Sequence, residues 1–212
     1  MTWPTATAEI ATPTRADVSD RLRFDRVAFG AGIVASVLFL AGAALFIAVI
    51  GPRLPSITAP AAERTAFFAE MSRSTVYHTI SYLGEAQMGL LLLFFGGLYG
   101  VVKRLEGETR AMSIAILGAG VALAVVTPLA ILIEDHLMLG FAAAGVDPKI
   151  VASIDGLGPV SFALGGFPQA IVAGGTGLLL LRDASMPRWL GGLGVAIGIA
   201  SLLGTATLLD TN

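Results

Sequence analysis

VAFGAGIVASVLFLAGAALFIAVI, residues 27–50, runs for 24 positions without a charged side chain. Crossing the hydrocarbon core of a bilayer takes about 20 apolar residues at about 1.5 Å of rise each. This stretch is long enough to cross. It also exceeds the apolar region of a cleaved signal peptide, about 7–15 residues, and no small-residue cleavage pattern follows it. It reads as a retained first helix.

Four further uncharged runs follow, at 86–102, 111–133, 156–181 and 189–209. The first of these four, with 17 residues, is short. It reaches full length if its helix begins near Tyr77 and carries Glu85 within the membrane. Lipid offers no hydrogen-bond partner to the backbone, so such runs must be helical, whatever their glycine and valine content. The whole chain agrees: of 212 residues, 55% are hydrophobic and 13% charged. A soluble domain carries about 25% charged residues. The pattern predicts an all-α, polytopic membrane bundle of about five transmembrane helices over 27–212, behind a disordered cytoplasmic segment at 1–26.

Composition also excludes some chemistry. The chain has no cysteine, so disulfides, thiolate metal sites and cysteine nucleophiles are ruled out. A net charge of -2 leaves no basic field for nucleic acid. No phosphate-binding glycine loop, nucleophile elbow or paired-histidine zinc motif is present.

Orientation follows from the basic residues. Arg15, Arg21, Arg23, Arg26, Lys103, Arg104, Arg110, Arg182 and Arg188 fall on one side of the predicted bundle. Arg53, Arg64, Arg73 and Lys149 fall on the other. The positive-inside rule then puts the N-terminus in the cytoplasm and, after five spans, the C-terminus outside. Of the two longer outer segments, 51–74 holds a stretch, 61–73, in which Phe67, Phe68 and Met71 share a face. It predicts a short helix lying on the outer interface or packed over the bundle. The segment 140–155 gives no specific signal.

Small residues let membrane helices approach closely. Gly191, Gly194, Gly198 and Ser201 form such a stripe on the last span, and Gly166, Ala170 and Gly174 form one on the span before it. The stripes fit packing within the bundle, with homo-oligomerisation or a partner membrane subunit as the alternative use. Following the small-residue faces turns Glu85 inward, towards Thr127, beside Pro128, and Gln169, after Pro168. An ionisable group inside a span suggests a functional site, so Glu85, Thr127 and Gln169 are candidates for a small-solute, proton or cation path. The other cluster is Glu134, Asp135 and His136, at the same boundary as His78. Two histidines on neighbouring helices, with two acids nearby, could hold haem or a divalent metal.

The order of elements resembles a type of uncharacterised bacterial multi-pass protein. The features are the helix at 27–50, the polar segment at 61–73, and a helix ending in Leu98 and Tyr99 before Lys103 and Arg104. The resemblance implies a bacterial inner membrane and no known activity. The sequence therefore leads to a non-enzymatic bundle or accessory subunit in a lipid bilayer, ahead of a transporter using Glu85 and a haem or metal protein using His78 and His136.

Overall fold

The computed structural model describes residues 15–56 and 58–210. Five of its helices are long and apolar enough to cross a membrane, and the protein is an all-α polytopic helical bundle. Within each span only 17% to 28% of an apolar 18-residue stretch is buried by protein. Water would not tolerate so much contiguous apolar surface, whereas lipid covers it.

The first helix, α1 (Arg15–Leu45), starts well before its apolar run. Residues 15–26, expected to be disordered, are thus helical, and the rest of that predicted segment lies outside the described residues. α1 ends in a π-helical turn, Phe46–Ile50, and a 3-10 turn, Gly51–Arg53. Next come α2 (Ala61–Met71) and α3 (Thr75–Glu106). The Ser74 hydroxyl caps α3 by accepting the Tyr77 amide hydrogen at 3.3 Å. The span therefore starts where full length requires.

The third span is α4 (Ala111–Val121), a π turn at Ala122–Val126, and α5 (Thr127–Ala143). Both π turns come just before a proline, Pro52 or Pro128. Proline lacks the amide hydrogen its i−4 carbonyl needs, and its ring crowds that carbonyl. Widening the helix relieves the clash: Thr127 donates to the Ala122 carbonyl, five residues back. This turn, next to Pro128, is where the ladder is disturbed. A short helix, α6 (Pro148–Asp155), leads to α7 (Gly158–Arg182) and α8 (Arg188–Asp210).

Each span packs antiparallel on its neighbour in sequence, in the order α1, α3, α4–α5, α7, α8. Register is read from the close contacts. Gly97 of α3 lies against Ala28 of α1, Gly120 of α4 against the Phe95 ring, and Gly175 of α7 against Ile116. Arg104, in the last turn of α3, bonds to Asp25 of α1 at 2.9 Å. One buried cluster, with Phe95, Leu98, Val102, Ile116 and Leu179, fills the half of the bundle near that ion pair.

The opposite end is capped. α2 packs on α5 and α6. Phe67, Phe68 and Met71 are buried beneath α2 with Ile50, Tyr77, Met138, Leu139, Ala142 and Val151. Of the two placements expected for the 61–73 helix, packing over the bundle is the one observed. The 140–155 segment, silent in the sequence reading, supplies the other half of the cap. Its signal was present: Asp147 caps α6 through the Lys149 amide at 2.9 Å, and Pro148 occupies the first turn.

Candidate functional site

Beneath the cap lies a cavity of about 370 Å³. Its apolar wall comes from the turns that follow α1 (Phe46, Ile50, Leu54) and from α2 (Phe67, Phe68). The two α2 rings meet edge to face, with centroids 5.2 Å apart. Such a T-shaped pair is a favoured aromatic geometry and holds both rings in place.

The opposite wall is the face of α5. Ile131, Glu134, Asp135 and Met138 follow the three-and-four spacing that puts side chains on one side of a helix. His136 departs from that face because each residue turns the helix by about 100°. It is exposed, and its Nδ1 lies 2.9 Å from the Leu132 carbonyl of its own helix.

Three carboxylates reach the cavity, and each is held differently. Glu134 accepts a hydrogen bond from the Ser161 hydroxyl at 3.3 Å, and it lies beside the N-terminus of α7. A Cβ at position 158 would sit 3.0 Å from Glu134 Oε1, so Gly158 is what lets the carboxylate approach that helix start. The partial positive charge of a helix N-terminus favours an anion there. Asp135 shares the cavity wall with Tyr77, which is only 9% exposed. Asp155 takes the guanidinium of Arg64, whose Nε lies 2.6 Å from Asp155 Oδ2. Arg64 Nη2 makes a second contact with the same oxygen and bonds to the Ala152 carbonyl at 3.4 Å. This pair ties α2 to the end of α6. On the exposed surface, Arg53 pairs with Glu70.

The predicted candidates distribute unevenly around this site. Glu134 and Asp135 line the cavity. His78 does not: it is exposed, and its Nε2 lies 3.0 Å from the Ser72 carbonyl. The four residues considered for haem or metal are thus split between the cavity and the surface. Among the described residues no three His, Asp or Glu side chains gather as a metal-ion site. Glu85 is half-buried on α3, eight residues beyond Tyr77 and outside the cavity. Thr127 is half-buried and packs on α7, where a Cβ at Gly165 would lie 3.0 Å from its Cγ2. Gln169 is exposed on the surface of α7, away from the interior expected for it. Of the three, Gln169 is exposed, while Glu85 and Thr127 are half-buried on different spans. The residues missed from sequence were Tyr77, Arg64 and Asp155, whose partners are far apart in the chain.

The glycine stripes meet each other. A Cβ on Gly194 would lie 2.8 Å from the Ala173 carbonyl, and one on Gly166 would collide with Thr205 Oγ1. Thr205 donates to the Ala163 carbonyl at 3.1 Å across the same seam. This face of α8 is thereby occupied within the chain. A second, shallower cavity of about 280 Å³ between α1 and α3, next to Phe29, Phe94 and Leu91, carries no titratable group.

Comparison with family models, curated proteins and solved structures gives no match for this chain. The functional reading therefore rests on geometry.

Proposed function

We propose that this is a non-enzymatic, multi-pass protein of the bacterial inner membrane that binds a small solute in the capped cavity. The observation that carries the reading is the cavity itself. Its volume of about 370 Å³ falls within the range of small-molecule sites, roughly 300–1,000 Å³. Its lining, mostly apolar with a few convergent polar groups, is the combination such sites use to bury a ligand and fix its orientation. The nine basic residues at the uncapped end favour a cytosolic position for that end, with the cavity on the outer side.

Transport through Glu85, Thr127 and Gln169 gains no support from their separate positions, and haem or metal ligation gains none from His78 and His136. The accessory-subunit reading needs a face other than the Gly194–Gly198 stripe, because α7 covers that one.

A cavity-filling variant tests the proposal. Ile131 lines the chamber from α5, and Ile131→Trp would place an indole inside it. A panel of small aromatic and aliphatic solutes is screened against the purified full-length chain for a rise in Tm. The expected result is that at least one solute stabilises the wild type and has no effect on Ile131→Trp. If every stabilising solute acts equally on both proteins, the chamber is not a binding site.

A further inference from the structure

We infer that the solute is a small lipophilic cation, an amine or quaternary ammonium attached to an apolar body; this rests on the cavity being a binding chamber. The charge balance around the chamber points that way. Glu134, Asp135 and Asp155 reach its wall, and a guanidinium, that of Arg64, answers Asp155. Arg53, on the exposed surface, is paired with Glu70. Glu134 accepts from the Ser161 hydroxyl, and Asp135 shares the wall with Tyr77, neutral groups that bring no positive charge. Two adjacent carboxylates against a low-dielectric wall repel each other, and a cation between them relieves that repulsion.

The remainder of the wall selects which cation. Phe46, Phe67 and Phe68 offer aromatic surface next to the acids. Aromatic faces attract ammonium groups, most effectively where water is excluded, and they bury an apolar body at the same time. A divalent metal ion would need its oxygen ligands gathered in one shell, and among the described residues no group of three acids or histidines provides that. Access suits an amphiphile too. Phe46 and Leu54, which line the chamber, are also exposed, so apolar side chains lead from the surface into it.

The test is a calorimetric titration of the full-length protein in an uncharged maltoside detergent. The ligands are benzyltrimethylammonium and its uncharged carbon isostere, neopentylbenzene. The cation should bind saturably and at least about tenfold more tightly than the isostere, a modest share of what one charge contact can supply. Glu134→Gln and Asp135→Asn should each weaken the cation about tenfold, while Glu70→Gln, outside the chamber, leaves it unchanged. Equal binding of the two isosteres would overturn the cation inference and leave the chamber standing as an apolar site. Binding of neither, beside a failed solute screen, would remove both readings. Loss in Glu70→Gln as large as in Glu134→Gln would reduce the effect to general surface charge and overturn the assignment. Should an acid variant fail to fold, the discrimination between isosteres by the wild type decides alone.

Discussion

Gly198 of α8 sits so close to Gly174 of α7 that a Cβ on Gly198 would lie 2.9 Å from the Gly174 Cα, whereas a Cβ on Gly174 would clear the Gly198 Cα by 3.8 Å. The contact is asymmetric because each Cβ vector leaves its own helix at a different angle to the seam. One side of the pair is at its packing limit. The other has ordinary van der Waals room.

That asymmetry makes a sharp prediction. Gly198→Ala should destabilise the bundle by about 1–3 kcal/mol, the usual cost of overpacking against backbone that cannot move. Gly174→Ala should be neutral, or slightly stabilising, because alanine orders the helix better than glycine. Thermal unfolding of both variants in detergent would measure this. Equal losses would mean that the register between α7 and α8 differs from the one described.

The Arg64–Asp155 pair closes the cap, and its two side chains are only 9% and 28% exposed. Asp155→Asn should loosen it by removing the carboxylate charge that the mostly buried guanidinium meets. The expected cost is about 1–3 kcal/mol, below that of a fully buried pair because Asp155 keeps some contact with water. Hydrogen exchange should rise in α2 and α6 and stay unchanged in α7 and α8. Faster exchange spread evenly over all helices would contradict a local latch.

Arg110, before α4, has φ 52, the left-handed region that disfavours every residue except glycine and a few small polar ones. The conformation is held because the Glu106 carboxylate folds back to accept the Met112 and Ser113 amides at 2.6 and 2.7 Å. Arg110→Gly should therefore stabilise the protein, by about 0.5–1 kcal/mol, through removal of the side-chain clash. A lower Tm in this variant would show that the arginine contributes more than its backbone costs.

Asp183, in the turn between α7 and α8, accepts the Ser185 amide at 2.9 Å. That hydrogen bond, joined by the Ser185 hydroxyl, holds the Asp183 carboxyl below its ordinary range. A depressed carboxyl stabilises the fold above its unfolded value, and the contribution disappears as pH falls through the folded value. Protection of the Ser185 amide should therefore decline as pH drops below about 4, the ordinary aspartate value. In Asp183→Asn that decline should be absent. An identical pH profile in both proteins would assign the protection to something else.

Much of this architecture is legible along the chain. Long uncharged runs announce helices because lipid forbids any other way of satisfying the backbone. Pro128 announces its disturbed turn for a similarly local reason. The glycine stripes mark where helices approach, although they do not say which helix fills them. The cavity was far less visible. Glu134 and Asp135 stood out as acids at a span end, but the same reading grouped them with His136, which the helix turns away from them. Gln169 was drawn inward by its polarity, yet it lies on an exposed face of α7.

By itself the sequence determined that this protein crosses a membrane in five helices, since hydrophobicity and length are properties of each segment alone. The tertiary structure decided that α2 and α6 close over one end, that Arg64 reaches Asp155, and that Tyr77 and Asp135 line one cavity. Those contacts join residues far apart in the chain. They depend on how whole helices are aligned, which no short-range pattern of residues encodes.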